Sequence, residues 1–231
     1  MLPVTGGALL VWTNIADQHE AEFNDWYNRQ HLFERVSVSG VIRGRRFKAL
    51  SGSPRYAAFY EAISPAPFGS AEYLASANNP VLRTQLNIGR FREIVRTVQQ
   101  TVRHQGDDGA ILASLRVCTS EDERERFRSA INGISLESLI GATNLVGATI
   151  MVEAATVTAT ETAEKTLIKQ RIGGADWTIV IEGTDVDSVT SAASQVAETI
   201  GGGDAVEVGI YAHLVTQYSR RAEWRATSEL A

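Results

Sequence analysis

The sequence predicts an α+β protein in which two tandem β-α-β-β-α-β units pack sheet to sheet as a pseudo-twofold α+β barrel. The first observation is that residues 7–11 (GALLV) and 109–113 (GAILA) are alike, each an apolar run followed by polar, acidic residues. The second is that residues 55–61 (RYAAFYE) resemble residues 176–182 (DWTIVIE). Each pair has the pattern of a buried strand that occurs once in each half of the chain.

The elements of the first unit follow the order of a ferredoxin-like fold. We predict strands over residues 7–14, 41–50, 55–63 and 92–104, and helices over residues 17–36 and 68–87. Residues 51–54 (SGSP) are typical of a hairpin turn, and residues 64–67 (SPAP) break the chain before the second helix. This unit is assigned to residues 1–106 and contains the candidate site.

The second unit, residues 107–220, is a degenerate copy that precedes a C-terminal tail at residues 221–231. The stretch from Gly109 to Glu182 is longer than the equivalent stretch from Gly7 to Glu61, and the additional residues fall around 154–165. This insertion is either a lid over a cavity or an irregular loop. Because each sheet has one face covered by its own helices, we expect the two remaining faces to meet and enclose a small ligand.

The composition is that of a globular protein and excludes several classes of function. Of the 231 residues 44% are hydrophobic and 21% are charged, and the net charge of −5 argues against non-specific binding of nucleic acid. The single Cys118 excludes an intrachain disulfide and a multi-cysteine zinc site. Membrane-span and signal-peptide patterns are absent, so we expect a cytoplasmic protein. We predict a small-molecule ligand and no cofactor or metal, and we leave homodimerisation open.

The predicted helix over residues 17–36 contains the most informative pattern in the chain. At 100° per residue, one arc of this helix contains Phe23, Trp26, Tyr27 and Phe33, with His31 at its edge. Tyr27 and His31 are four residues apart and therefore share a face. Glu34 falls within the same arc, where an unpaired carboxylate would be costly, so we expect it to meet a cation or to lie at the mouth of a cavity.

These residues form a candidate acid–base site. Histidine exchanges protons near neutral pH, and a nearby tyrosine or arginine stabilises negative charge that develops on an enolate or carboxylate. We assign His31 and Tyr27 to catalysis. The predicted substrate-binding residues are Trp26, Arg43, Arg45 and Tyr60, of which the two arginines share one face of their strand while Arg46 lies on the other. The alternative is that His31 is a packed core residue and that the arginines belong to a solvated strand face.

The segment 23–35 (FNDWYNRQHLFER) resembles the first-helix motif of the dimeric α+β barrel superfamily, and most closely that of its EthD-like branch. In that branch an aromatic pair is followed four residues later by histidine, and residues 39–47 and 55–61 continue the resemblance. The resemblance implies that His31 is the acid–base residue of a cavity between sheet and helix. The chain departs from the pattern at Phe33, where many relatives have proline. The corresponding position of the second unit is Gly133, so we expect one site per chain.

The superfamily includes isomerases, dehydratases, decarboxylases, cofactor-free monooxygenases and haem-binding tandem proteins. We therefore predict a cofactor-independent lyase or isomerase that abstracts a proton from a small cyclic, lactone or aromatic intermediate, with His31 as acid and base. The alternatives are a non-catalytic small-molecule binding or accessory protein of the same fold and a cofactor-free monooxygenase. Haem binding is disfavoured because the second half has no histidine outside its final strand.

Overall fold

The computed structural model describes residues 5–220, so the predicted tail at 221–231 lies outside the described residues. Its strands are β1 (Gly7–Asn14), β2 (Val41–Ser51), β3 (Tyr56–Ala62), β4 (Arg92–Gly106), β5 (Ile111–Val117), β6 (Leu145–Glu153), β7 (Trp177–Gly183) and β8 (Val206–Tyr218). The α-helices are α1 (Asp17–Trp26), α2 (Leu32–Val36), α3 (Ala71–Asn78), α4 (Leu82–Ile88), α5 (Arg124–Asn132), α6 (Leu136–Ile140), α7 (Ala155–Thr158), α8 (Ala163–Thr166) and α9 (Val186–Thr199). A π-helical turn, Tyr27–His31, joins α1 to α2.

The eight strands close into one antiparallel barrel in the order β1-β3-β2-β8-β5-β7-β6-β4. Strands of the first half meet strands of the second half at two seams, where β2 pairs with β8 and β4 pairs with β6. Every backbone edge of the sheet is therefore paired within the chain, which removes the exposed strand edges that favour aggregation. The predicted α+β class and the barrel are confirmed.

Strands β1, β3, β5 and β7 are buried on both faces because side chains fill the barrel and helices cover its outside. Alternate residues of β1 show this division, since Leu10 and Trp12 point into the barrel while Leu9 and Val11 face the helices. The interior is packed with Ala8, Leu10, Trp12, Phe47, Ala57, Phe59, Leu112, Met151, Val180 and Tyr211. The ligand space that we expected between the sheets is therefore filled, apart from a cavity of about 30 Å³ at one end.

The helix predicted over residues 17–36 is present, but its π-helical turn changes which residues face the core. The turn accommodates an additional residue, so positions after it no longer follow the 100° pattern. Leu32 and Val36 are buried, whereas Phe33, which the pattern placed in the apolar arc, is 42% exposed. The cation of Arg220 lies 5.4 Å from the centroid of the Phe33 ring.

Two other segments differ from the sequence prediction. The helix expected over residues 68–87 is divided into α3 and α4 at Asn79 and Pro80, because a proline disfavours the helical conformation of the residue before it. The insertion around residues 154–165 forms α7 and α8 and extends to Gly173, where it pairs with Val95 of β4. Within residues 5–220, none of the helices has the length and apolar character needed to span a membrane.

Candidate functional site

A cavity of about 40 Å³ lies outside the barrel, between the sheet of the first half and the helices that cover it. Strands β1, β3 and β4 form its floor, the π-helical turn and α2 form one wall, and the insertion from the second half forms its roof. The lining residues are Leu9, Val11, Tyr27, His31, Arg35, Tyr60, Tyr73, Ile88, Phe91, Ile94, Arg96, Thr162, Glu164, Lys165 and Ile168. This cavity brings together three of the predicted site residues, Tyr27, His31 and Tyr60.

His31 is held in the cavity wall by aromatic contacts. Its imidazole stacks on the Trp26 indole, with ring centroids 4.4 Å apart and an angle of 26° between the ring planes. The Tyr27 ring is nearly perpendicular to the same imidazole, with ring centroids 5.1 Å apart. Trp26 is itself fixed, because its indole Nε1 donates a hydrogen bond of 3.2 Å to the Thr84 hydroxyl. Trp26 therefore supports the histidine from behind, which differs from the direct substrate contact that we predicted for it.

Burial keeps His31 uncharged. Removal from water lowers the pKa of the imidazole below its usual 6.5, and the nearby Arg35 guanidinium lowers it further, although Glu34 acts in the opposite direction. The Glu34 carboxylate is 3.5 Å from Nδ1, too long for a strong hydrogen bond, and Nδ1 has no closer partner. A neutral imidazole with a buried and unsatisfied nitrogen can accept a proton from a bound molecule.

Two tyrosines complete the polar part of this wall. The Tyr60 hydroxyl donates a hydrogen bond of 3.1 Å to the Tyr27 hydroxyl, and burial raises the pKa of both phenols. Arg46 projects from the face of β2 that the helix covers. Its guanidinium stacks on the Tyr27 ring, 4.2 Å from the ring centroid. Its hydrogen bonds to Asn24 and Asn28 anchor the helix to strand β2. Both hydroxyls therefore stay protonated at neutral pH, and because Tyr60 donates to Tyr27, the Tyr27 hydroxyl is the one available to donate a hydrogen bond to a ligand.

Three cations line the same cavity, and the two arginines among them have buried donors without a hydrogen-bond partner. The Arg35 guanidinium is buried and pairs with Glu164 through Nη2, but its Nε and Nη1 have no partner. Arg96 donates to the Tyr73 hydroxyl through Nη2, while its Nη1 is buried without a partner. Burial and the proximity of Arg96 lower the pKa of the Lys165 ammonium group. Buried donors of this kind favour an anionic ligand.

The structure places Arg43 and Arg45 away from this cavity, on the opposite face of β2. Both point into one end of the barrel and line its small interior cavity. Arg45 donates to Glu61 at 2.7 Å and binds Glu182 of the second half through two hydrogen bonds of 2.8 and 2.9 Å. Arg43 pairs with Glu61 and Asp108. The two-residue alternation of a strand puts these arginines on a common face, as predicted, but His31 packs against the other face.

The arginines at the barrel end are fully engaged in this ion-pair network. Burial by itself would lower the pKa of the Arg45 guanidinium, but the carboxylates of Glu61 and Glu182 outweigh it and raise that pKa well above its usual value. The network contains two guanidinium groups and three carboxylates, so removal of either arginine leaves buried carboxylates without enough positive charge. We therefore interpret Arg43 and Arg45 as part of the connection between the two halves of the barrel, and not as ligands of the substrate near His31.

A segment from the second half, residues 159–172, covers the cavity, and we call it the cover segment. Both of its flanks are attached to β4. On one side the Thr158 hydroxyl bonds the backbone of Val98, and on the other Gly173 exchanges backbone hydrogen bonds with Ile94 and Arg96. Between these attachments, Thr162, Glu164, Lys165 and Ile168 face the cavity. The sequence predicted this insertion to be either a lid or an irregular loop, and its position is that of a lid.

Sequence reasoning missed the cations of this site. Arg35 follows His31 by four residues on the same helix, and this spacing could have placed it beside the histidine. Arg96 and the residues of the cover segment have no comparable signal, because they approach His31 only through the tertiary fold. Within residues 5–220, no cluster of three histidine, cysteine or acidic side chains is arranged to bind a metal.

Solved structures with the same fold cover almost the whole chain. An anthrone oxidase-like protein matches with a TM-score of 0.58 and 9% identity, over 94% of each chain. A protein from Lactobacillus acidophilus named "putative monooxygenase" matches with a TM-score of 0.56 and 6% identity, over 93% of this chain and 97% of the other. A protein named "putative chlorite dismutase" matches with a TM-score of 0.51 and 10% identity, over 92% and 96%.

At these identities the similarity establishes a shared fold and leaves the reaction open. No protein-family model matches the sequence. No curated protein matches it either. The similarity therefore supports the α+β barrel fold, and the chemistry has to be inferred from the cavity itself.

Proposed function

We propose that this protein is a cofactor-independent oxygenase that acts on a small, enolisable hydroxyaromatic anion in the cavity next to His31. The observation that carries the proposal is one cavity lined by a buried imidazole with a lowered pKa and by three cations, Arg35, Arg96 and Lys165, of which the arginines have buried donors without a partner. A base beside cations is the arrangement that removes a proton and stabilises the resulting anion. The names of two structures of this fold, an anthrone oxidase-like protein and a monooxygenase, support the oxygen-dependent form of this chemistry.

In the first step His31 accepts a proton from the hydroxyl group or from the adjacent carbon of the substrate, which leaves an electron-rich enolate or phenolate. The cations hold the negative charge, and the Tyr27 hydroxyl, which accepts from Tyr60, donates a hydrogen bond to it. The anion then reduces molecular oxygen. Overall, a CH2 group and O2 give a C=O group and water, so the substrate supplies all four electrons and no external reductant is needed.

A lyase or isomerase is the second candidate, because it begins with the same proton abstraction. The pair of protonated tyrosines next to His31 favours it, since a hydroxyl could return a proton to the substrate at another position. The two reactions differ in their need for oxygen. A binding protein without activity is the third candidate and predicts ligand binding with no turnover.

We also propose that the chain is a tandem of two ferredoxin-like units, approximately residues 1–106 and 107–220, and that the first unit belongs near the EthD-like branch. The strand order supports the tandem, because β4-β1-β3-β2 in one half corresponds to β8-β5-β7-β6 in the other. The motif from Trp26 to His31 supports the branch. In this arrangement the second unit supplies the cover segment and the first supplies His31.

The test is oxygen uptake with a panel of hydroxynaphthalenes, anthrones and hydroxyaromatic acids. We expect wild-type protein to consume one O2 per substrate converted, and His31→Gln to be slower by about a hundredfold or more. His19→Gln is the matched control, since His19 lies on the same helix away from the cavity, and it should retain wild-type activity.

The same panel separates the candidates. Conversion that continues without oxygen would replace the oxygenase with the lyase or isomerase. Ligand binding without conversion in any atmosphere would favour the binding protein. Equal oxygen uptake by wild type and His31→Gln would remove the histidine from the mechanism.

A further inference from the structure

We propose that Glu164 occupies the position of a substrate carboxylate, and that the cover segment opens so that a hydroxyaromatic acid replaces Glu164 on Arg35. This inference rests on the proposed function and specifies its substrate class, because it assigns Arg35 as the residue that binds the acid. It also assigns a role to the insertion from the second half, which would act as a latched lid over the site.

The size of the cavity requires such an opening. A volume of about 40 Å³ holds a few water molecules, whereas even benzene needs roughly 150 Å³. The floor of the cavity consists of barrel strands, and its wall is the tightly packed aromatic cluster around Trp26. The roof is the one boundary formed by a segment whose attachments to the barrel lie at its two ends. Movement of the cover segment is therefore the way in which an aromatic ring gains space.

The latch is the ion pair between Arg35 and Glu164. The Glu164 carboxylate accepts a hydrogen bond from Nη2 alone, although an arginine can bind a carboxylate through two parallel donors. The Nε and Nη1 atoms of Arg35 remain buried without hydrogen-bond partners. A ligand carboxylate that replaced Glu164 could accept from Nη2 together with either Nε or Nη1, and so satisfy two parallel donors where Glu164 satisfies one. Glu164 is thus a partial substitute for a better-fitting anion.

The charges around the cavity favour the same class of ligand. Arg35, Arg96 and Lys165 face the cavity, and Glu164 is the single carboxylate among the residues that line it. When the cover segment moves away it takes Glu164 and Lys165 with it, and the buried Arg35 guanidinium loses its direct ion-pair partner, so an incoming carboxylate restores that pair. The aromatic side chains of Tyr73 and Phe91 in the same lining provide contacts for a ring.

The remaining contacts of the cover segment are few enough to be reversible. The backbone N–H of Ala163 donates to the Asn78 side chain at 2.9 Å, and Gln170 donates to the Phe91 carbonyl at 2.8 Å. Leu167 and Ile168 pack against the core of the first half but are only partly buried. The flanks at Thr158 and Gly173 are bonded to the backbone of β4 and serve as hinges.

The experiment measures binding by titration calorimetry, with 3-hydroxy-2-naphthoate and its uncharged amide as a matched pair of ligands. We expect Glu164→Gln to bind the acid about tenfold more tightly than wild type, because the competing anion is gone. The amide should bind both proteins equally. Glu161→Gln removes the same charge from an exposed position of the same segment, and it should bind the acid as wild type does. Glu164→Asp, whose shorter side chain retracts from Arg35, covers the case in which the glutamine variant fails to fold.

The proposal is overturned if the Glu164 variants bind the acid no more tightly than Glu161→Gln, or if the acid binds none of the proteins. Its failure can be told apart from failure of the proposed function. The latch is measured by acid binding to the Glu164 variants and the oxygenase by oxygen uptake, so the two proposals fail separately. Tighter binding by Glu164→Gln without oxygen uptake would support the latch and reject the oxygenase. Oxygen uptake that depends on His31, together with unchanged acid binding by the Glu164 variants, would support the oxygenase and reject the latch.

Discussion

The chemistry of His31 depends on its surroundings more than on its own side chain. An exposed histidine would be partly protonated near neutral pH, whereas this imidazole is stacked on Trp26 and enclosed, so its uncharged form is favoured. The same burial has a cost below neutral pH, because protonation places a charge in the core next to the Arg35 guanidinium. The residue is thus prepared to act as a base and is also sensitive to acid.

We predict that His31 makes the protein less stable as the pH falls through and below 6.5. The unfolded state has the ordinary histidine pKa of about 6.5 and the folded state a lower one, so the unfolded state binds more protons between these values. The free energy of unfolding should therefore decrease with falling pH, by about 1.4 kcal/mol for each unit of difference in pKa. The measurement is the urea midpoint of wild type and His31→Gln from pH 8 to 5. Parallel curves for the two proteins would contradict a lowered pKa.

At the scale of elements, the π-helical turn determines how the first helix presents its functional residues. The backbone N–H of Leu32 bonds to the Tyr27 carbonyl, five residues back, so the turn is wider than an α-helical one. Tyr27 and His31 are both within this turn and both line the cavity. Leu32 and Val36, which follow it, return to the core against the sheet. The additional residue therefore adjusts the site without sacrificing the packing on either side.

Deletion of Arg29 tests whether this turn matters for function. Without that exposed residue, Trp26, Tyr27, Leu32 and Val36 would fit one face of a regular α-helix, so we expect the free energy of unfolding to change by about 1 kcal/mol or less. His31 would shift relative to the cavity, and oxygen uptake should fall by about tenfold to a hundredfold. Arg29→Ala, which retains the turn, is the control. Full activity in the deletion variant would show that the wider turn has no functional role.

At the scale of the whole molecule, the two halves of the barrel have different tasks. The first half contributes His31, the tyrosines and two of the cations, while the second contributes Glu164 and Lys165 from above the cavity. The halves are connected by two strand seams and by the ion-pair network at the barrel end. Because this network lies on the far side of the sheet, we expect it to determine stability and to leave the chemistry unchanged.

Glu182→Gln should therefore separate stability from activity. Arg45 would lose a carboxylate that it binds through two hydrogen bonds inside the barrel but would keep Glu61, and we expect the free energy of unfolding to fall by about 2 kcal/mol. Glu125→Gln, which breaks an exposed pair with Arg128, should change it by less than about 1 kcal/mol. Chemical denaturation measures both values. A large loss of oxygen uptake by folded Glu182→Gln would return Arg45 to the substrate site.

The order of strands and helices in the first half could be predicted from the sequence, as could the location of the candidate residues Tyr27 and His31 on the first helix. Apolar alternation with two-residue and 3.6-residue periods depends on local geometry, so it predicts β1, β2, β3 and the helical region around Trp26. The proximity of Tyr27 and His31 follows from their spacing. The placement of Phe33 was wrong for a local reason too, because no residue type signals a π-helical turn and one such turn changes the face of every later position.

The tertiary structure alone decided which charged groups share the cavity with His31. Arg43 and Arg45 are close to His31 along the chain, but their side chains lie on the opposite face of the sheet, inside the barrel. Arg96 and Lys165 are distant from His31 in sequence, yet they line the same cavity. The physical reason is that a cavity is bounded by several elements, and their relative placement results from closure of the barrel and packing of the core. Local sequence patterns contain little information about such long-range contacts, so the cationic side of the cavity became visible only in the folded chain.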